Sequence, residues 1–343
     1  MDKDSEKKQK EVLVEVRNLS VVYHTRLGTL SAVDDVSFDI YHGEILGLVG
    51  ESGCGKSTMG KALMRMITPP AEISRGQIIF DGEDIMQYDD NQMRDFRGRR
   101  ISMIFQDPMT SLNPVQTIRQ HMSEAIQVHE PKTKPENILD RVKTLIERLG
   151  IASRRLTDYP HQLSGGMRQR VMIGLGLVLN AHLIIADEAT TSLDVIVEAK
   201  LVDQLRQVCD EYGVTILAIT HNIALVAELA DRVAVMYAGQ IAEIAPVDEI
   251  FDNTLHPYTQ GLLRSVPNIN VNETQELYKM AGEPPNLTHP PAGCRFHPRC
   301  PFVMPVCTHV EPALAEVAPG RLVHCWLYED HPEKESPTIK VSA

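Results

Sequence analysis

Basic residues are in deficit in this sequence: 34 Lys and Arg stand against 46 Asp and Glu, a formal net charge of −12. An acidic surface offers no general attraction for phosphate backbones, so DNA and RNA binders drop down the list of classes. Long apolar runs are missing too. The longest, Val171 to Ala186, is interrupted by Asn180 and His182 and falls short of the ~18 to 20 residues that span a bilayer. Its two halves read instead as a buried helix followed by a buried strand. Met1 to Lys10 (MDKDSEKKQK) lacks the apolar core of a secretory signal and is expected to be a disordered leader. An intracellular protein is therefore expected, with any membrane link made through a partner. Cysteine numbers only six, with no close C-x2–4-C pair, the spacing that structural zinc favours. What remains is ordinary for a globular protein, 43% hydrophobic and 23% charged. At 343 residues the chain exceeds one core, so a large α/β domain with an insertion or appendage is the expectation.

The organising stretch is Gly50-Glu51-Ser52-Gly53-Cys54-Gly55-Lys56-Ser57-Thr58. An apolar run, Glu44 to Val49, precedes it, and Met59 to Met66 has helix-forming composition. Strand, glycine loop and helix in that order are the context a G-x-x-x-x-G-K-[ST] phosphate loop needs. Glycines at 50, 53 and 55 let backbone N–H groups turn inward at phosphate oxygens, reinforced by the positive end of the helix dipole. Lys56 is expected to neutralise β- and γ-phosphate charge, and the Ser57 hydroxyl to bind Mg²⁺.

Earlier in the chain, β-type runs from Val12 to Ile40 predict a small antiparallel sheet beside the nucleotide-binding core. Tyr23, at the end of one run, is either edge-strand filling or the flat surface on which adenine stacks. Gly76 to Ile85 reads as a strand and turn. Ile101 to Phe105 reads as a strand leading into Gln106-Asp107-Pro108. From about Pro108 to Leu179 the pattern turns helical, with Ile138, Leu139, Val142, Leu145, Ile146 and Leu149 at helical spacing. Ser164-Gly165-Gly166 then offers an N-cap and two bare amides at a helix start, either a second anion-binding device or a plainly capped helix. Leu183 to Ala186 is a short apolar strand tipped by Asp187 and Glu188, where open α/β sheets bind ligands. Asp187 is expected to reach Mg²⁺ and Glu188 to face the γ-phosphate. After Ser192-Leu193-Asp194 comes a helical stripe, Val197, Leu201, Leu205, Val208, Cys209 and Tyr212, which assigns Cys209 to the core. Val214 to Ile219 is a further buried strand tipped by Thr220-His221, and His221 is expected to contact the γ-phosphate rather than serve as a structural histidine. A hairpin, Arg232 to Ile244, is expected to close the core near residue 248.

Together these pieces resemble the ATP-binding subunits of ABC transporters. GESGCGKST resembles their Walker A loop, Gln106 the Q-loop, LSGGM at residues 163–167 the signature, LIIADE the Walker B strand, SLD the D-loop and His221 the switch histidine. The resemblance runs from about Val14 to Pro246. It departs at Ala189, where proline is usual, and at Asn222, where aspartate is. It implies an α/β P-loop NTPase core with an antiparallel β subdomain, an inserted helical subdomain and, here, a Cys-rich C-terminal extension. It also implies that two subunits pair head to tail, each ATP held between the Lys56 loop of one and Ser164, Gly165 and Gly166 of the other. Ser52, Gly53, Cys54, Thr58 and Asp194 fall among the implied nucleotide contacts. Glu188 would then polarise the attacking water, His221 hold it and the γ-phosphate in line, and Gln106 complete the Mg²⁺ and water shell. Two transmembrane permease subunits, and indirectly an extracytoplasmic binding protein, are the implied partners, with no nucleic acid. That arrangement puts the chain at the cytoplasmic face of the cell membrane.

Beyond residue 250 prolines and cysteines accumulate. His256-Pro257-Tyr258-Thr259 is similar to the HPYT segment of peptide and nickel importers. Expected boundaries are 1–10 for the leader, 11–248 for the ATPase domain with its helical insertion at about 108–179, 249–331 for the extension and 332–343 for a frayed tail. Cys294, Cys300, Cys307 and Cys325 follow a C-x5-C-x6-C-x17-C spacing. Disulfides fit a reducing cytoplasm poorly. Loose spacing with proline directly after Cys300 suits an iron–sulfur cluster, and a similar tail is associated with a [4Fe–4S] cluster in some dipeptide-importer ATPases. Zinc, with His297, His309 or His324 as further ligands, and unligated thiols remain the alternatives. The overall expectation is an ATP-hydrolysing motor for di- or oligopeptide import. A soluble ABC ATPase of DNA repair, translation or cluster assembly, and an importer of nickel or oligosaccharide, are the competing readings.

Overall fold

The computed structural model of the chain describes residues 11–26, 28–105, 112–188, 206–207, 209, 211, 213–265 and 280–329. The expected leader, Gln106, the SLD segment with Asp194, most of the Val197 to Tyr212 stripe and the frayed tail lie outside those residues.

Two sheets carry the fold. The first is antiparallel, in the order β2 (Gly28–Tyr41), β1 (Val12–Thr25), β4 (Ala71–Phe80), β5 (Glu83–Asp84). It is the small sheet expected from Val12 to Ile40, extended by two later strands. The second has eight strands. Its parallel part runs in from one edge and consists of β6 (Ile101–Ile104), β7 (Leu183–Asp187), β8 (Thr215–Thr220), β3 (Ile45–Val49) and β9 (Arg232–Tyr237). Every residue of β3, β7 and β8 is buried, which is why their sequences (ILGLV, LIIAD, TILAIT) run apolar without alternation.

The hairpin of β9 and β10 (Gln240–Pro246) does not end the sheet. Strand β12 (Arg321–Val323) pairs with β10, and β11 (Ala315–Ala318) pairs with β12. The expectation that the core closes near residue 248 is therefore corrected: the segment beyond 280 adds two strands to the core sheet.

Helix α1 (Lys56–Leu63) lies against the sheet. A Cβ on its Gly60 would stand 2.9 Å from Ile219 Cδ1, so no larger side chain separates helix from strands. Helix α2 (Asp90–Arg99) starts at a capping box of Asp89 and Gln92, and α3 (Ile118–His129) at one of Thr117 and Gln120. Helix α4 (Pro135–Arg148) opens on a proline. Ile118, Met122 and Ile126 of α3 and Ile138, Val142 and Ile146 of α4 form one buried cluster with Ile104, Ile184 and Ile216 of the sheet. Helix α5 (Gly165–Leu177) is capped by Ser164, whose hydroxyl accepts the Met167 N–H at 3.4 Å. Helix α6 (Ile223–Leu229) is capped by Asn222, which accepts from Ala224 and Leu225. Asparagine and aspartate cap helices about equally well, which accounts structurally for the departure at 222. Short helices α7 (Val247–Asp252) and α8 (Pro257–Arg264) follow the hairpin. Cys209 is buried, as the helical stripe implied.

Candidate nucleotide site

The carboxyl ends of β3, β7 and β8 converge, and each carries a residue singled out in the sequence. After β3 the loop must bring backbone against backbone. A Cβ on Gly50 would lie 2.1 Å from the Met236 carbonyl oxygen, and one on Gly55 2.1 Å from that of Ala32. Both glycines also have φ in the left-handed region, 157° and 109°, so steric room and dihedral make the same demand. Lys56, only 5% exposed, donates from Nζ to the carbonyls of Gly50 at 2.8 Å and Glu51 at 3.0 Å. These bonds arch the loop around its own ammonium group.

Ser57 Oγ donates to Asp187 Oδ1 at 2.9 Å. That bond joins the start of α1 to the tip of β7 and places a hydroxyl and a carboxylate together, an oxygen pair suited to Mg²⁺. Burial raises the Asp187 carboxyl pKa. The Ser57 hydrogen bond opposes the rise, the neighbouring Glu188 adds to it, and Lys61 and Lys56 counter it. A divalent cation would favour the ionised form further. Glu188 has left-handed φ of 48°, and its N–H is held by the Ile219 carbonyl at 2.8 Å. Its Oε1 is 3.3 Å from His221 Nδ1. The two strand tips thus bring a carboxylate and an imidazole side by side.

A pocket of about 530 Å³ is lined by Ser52, Gly53, Gly55, Lys56, Ser57, Thr58 and Glu188 together with Tyr23, Thr25, Leu30, Ala32 and Leu287. Tyr23 OH stands 3.3 Å from Thr58 Oγ1. Cys54 does not line it. Its side chain is 6% exposed and belongs to the core cluster behind the loop, so the expectation that it faces the nucleotide is corrected. Burial raises its thiol pKa, only partly countered by Lys56. Ser164, Gly165 and Gly166 are outside this pocket and solvent-accessible. Within one chain the phosphate loop and the Ser164-capped helix start do not share a pocket.

Contacts not read from the sequence reach the loop from the far end of the chain. Tyr258, fully buried, accepts the Glu51 N–H at 2.9 Å. Arg299 grips the Glu51 carboxylate through Nη1 at 2.9 Å and Nη2 at 3.1 Å, and its Nη1 also meets Tyr237 OH at 3.3 Å. Tyr237, Tyr258 and Phe296 form an aromatic cluster there, with ring centroids 4.5 to 5.6 Å apart. A single charged residue in a Pro-rich tail carries no sequence signal of its partner.

The four tail cysteines line one small cavity together with His256, Phe296 and Trp326, among others. Burial chiefly, with a smaller contribution from neighbouring thiols, pushes the Cys294 and Cys300 thiols up to about 11 and Cys325 to about 12. Backbone amides counter this, those of Phe296 and His297 at Cys294, Phe302 at Cys300 and Leu327 at Cys325. Among the described residues no three His, Cys, Asp or Glu side chains converge closely enough to hold a single metal ion. His297 Nδ1 is bonded to the Cys294 carbonyl at 2.9 Å and His324 Nε2 to that of Pro312 at 2.5 Å. The zinc arrangement is accordingly not formed.

A phosphate loop, an acid and a histidine on adjoining strand tips, and a capped signature-type helix define a nucleotide-hydrolysing cassette. Comparison with known proteins agrees. The sequence matches the ABC transporter family over residues 33–191 and the family described as "Oligopeptide/dipeptide transporter, C-terminal region" over 242–307. It is 43% identical over 326 residues to the dipeptide transport ATP-binding protein DppD of Bacillus subtilis (strain 168), covering 94% of this chain and 97% of that protein. The oligopeptide transport ATP-binding protein OppD of the same organism is 42% identical over 329 residues, 95% and 92% of the two chains. The chain belongs to the family of ATP-binding subunits of dipeptide and oligopeptide ABC transporters, a family of ATPases. Among solved structures, cbiO1 from Clostridium perfringens, part of the ABC transporter complex cbiONQ, superimposes with a TM-score of 0.62 at 28% identity, covering 71% of this chain and 92% of its own. The ATP-binding cassette MJ0796, in a dimeric post-hydrolysis state, shares the fold with a TM-score of 0.62 at 24% identity over 68% of this chain and 99% of its own. Among the described residues no helix is long and apolar enough to cross a membrane.

Proposed function

We propose that the chain is one of two ATP-hydrolysing subunits that drive import of di- and oligopeptides through a pair of membrane permeases, working at the cytoplasmic face. The observation that carries this is the incomplete site. Lys56, Ser57 and Glu188 line one pocket, with Asp187 bonded to Ser57 and His221 beside Glu188, while Ser164 to Gly166 are solvent-accessible outside it. A second cassette, identical or homologous, set head to tail would present its own capped helix to the γ-phosphate.

In that assembly Lys56 neutralises phosphate charge, and Ser57 and Asp187 hold Mg²⁺. Glu188 polarises the attacking water and His221, already beside it, orients water and γ-phosphate. Catalysis is then chiefly positioning and charge stabilisation. Gln106 and Asp194 enter the proposal from the sequence alone, completing the metal shell and the dimer contact. The stretch at about 108–179 is proposed as the helical insertion that bears the signature helix and meets the permeases.

The test is peptide uptake into vesicles carrying the permeases and both ATPase subunits. Glu188→Gln is expected to bind ATP normally, lose at least about 100-fold in turnover and accumulate as a closed dimer. Normal turnover by that variant removes Glu188 from its role. Unimpaired ATP hydrolysis and peptide uptake without a second cassette would sink the composite site.

For the tail we propose that Cys294, Cys300, Cys307 and Cys325 hold a [4Fe–4S] cluster. In support, all four cysteines line one cavity, and burial makes the thiolates of Cys294, Cys300 and Cys325 costly unless a cationic centre compensates. Bound there, the cluster would cross-link the tail. Protein purified without oxygen should be brown and bleach on reduction; a colourless preparation with stoichiometric zinc overturns this.

A further inference from the structure

The nucleotide pocket has one lining residue that the ATPase core does not supply. Leu287 stands there with Tyr23, Leu30 and Ala32, and Thr25 is the polar residue beside them. Tyr23 and Leu30 are cross-strand partners on β1 and β2. Next to Leu30, the Ser31 N–H donates to the Leu287 carbonyl at 3.3 Å, so the later segment docks on the same strand through its main chain. The docking is close. A Cβ on Gly28 would lie 3.2 Å from Thr288 Cγ2. The segment is also shaped locally, since Asn286 accepts the Thr288 N–H through Oδ1 at 2.9 Å and the His289 N–H through its carbonyl at 3.1 Å. Behind the pocket, Leu287 packs on the buried cluster that includes Tyr258 and Phe296. Its side chain thus lies between that buried cluster and the pocket.

With the phosphates along Lys56 and Ser57, the apolar part of the lining is what remains for the base. A flat heterocycle there gains dispersion and buried area from any apolar side chain laid on it. We propose that Leu287 is a base-binding residue of the nucleotide site and that the C-terminal segment thereby forms part of the ATP pocket. This rests on the ATP-site reading above and deepens it.

Leu287→Ala should raise the KM for ATP and the Kd for ADP by the same factor, roughly 3- to 10-fold for one apolar side chain on a base. Because the lost contact is equal in ground and transition states, kcat should not change. Tripolyphosphate, which has no base, should inhibit the variant and the parent equally. Leu287→Met should recover most of the affinity. In the unaltered protein, photolabelling with 8-azido-ATP should mark the peptide containing Leu287, a measurement that needs no variant to fold. Unchanged ATP and ADP affinity in Leu287→Ala, tripolyphosphate weakened as much as ATP, or label absent from that peptide would each overturn the proposal. If instead the parent bound neither ATP nor tripolyphosphate, and Lys56→Ala changed nothing, the ATP-site reading itself would be at fault.

Discussion

Replacing Arg299 by alanine tests whether the tail holds the phosphate loop in shape. The Arg299 side chain is 5% exposed and Glu51 26%. Burial alone would lower the guanidinium pKa, but the hydrogen bonds to Glu51 and Tyr237 reverse this and leave it raised. Two parallel N–H···O bonds of 2.9 and 3.1 Å make the pair bidentate, the strong form of the interaction. Breaking a fully buried pair from one side costs ~3 to 5 kcal/mol, whereas an exposed pair contributes ~0 to 1. With one partner buried and the other a quarter exposed, about 1 to 3 kcal/mol is expected. Arg299→Lys keeps the charge but loses the fork, so it should recover less than half. The assay is a double-mutant cycle with Glu51→Gln, read by urea denaturation with and without Mg-ATP. A coupling energy of about 1 to 3 kcal/mol is expected, together with weaker nucleotide protection in the single Arg299 variant, whose Glu51 carboxylate is left unpaired beside the phosphates. Additivity within ~0.3 kcal/mol would show that the contact carries no energy, and the loop would have to be held by other means.

Gly47 in β3 leaves no room for a side chain, since a Cβ would lie 2.4 Å from Val226 Cγ1. Gly47→Ala should cost about 1 to 3 kcal/mol through overpacking. Adding Val226→Ala should leave the double variant less destabilised than the sum of the singles, whereas a simple sum in denaturation experiments would count against that clash. Burial, aided by His324, holds the His256 imidazole down at about 3, while an unfolded chain protonates it near ~6.5. Its stabilising contribution is therefore complete above ~6.5 and is lost as pH falls toward about 3, at up to ~1.4 kcal/mol per pH unit. His256→Asn, which retains an acceptor for the Tyr258 N–H, should flatten the acid slope of stability between pH 7 and 5; equal slopes would acquit the histidine.

Local chemistry was legible in the sequence. The phosphate loop announced itself because an apolar run must be a buried strand before three closely spaced glycines can be a turn. Asp187, Glu188 and His221 were readable because each directly follows such a run. The Ser164 cap needed only its own neighbours. Contacts across great distance were not legible. Arg299 and Glu51 are 248 positions apart, and nothing in the periodicity of either segment refers to the other. Leu287 sits in a stretch without pattern, and its place in the pocket depends on a main-chain bond to Ser31. Arg232, paired at 3.1 Å with the wholly buried Glu44 carboxylate, was hidden for the same reason. Strands β11 and β12 were missed because four and three residues are too short to show alternation. Cys54 was misplaced because the loop's curl, which sends its side chain inward, follows from glycine dihedrals that a spacing pattern does not record.

The pairing of β12 along β10 has a consequence for how such chains can be shortened. Glu243 faces Val323 and Ile244 faces Leu322, while Ala242 accepts the His324 N–H at 2.9 Å. A chain cut after α8 would bare this row of backbone groups, the kind of open rim along which sheets from separate molecules zip together. The terminal strands therefore act as a selvedge, and a trimmed cassette would need a substitute hem to stay in solution.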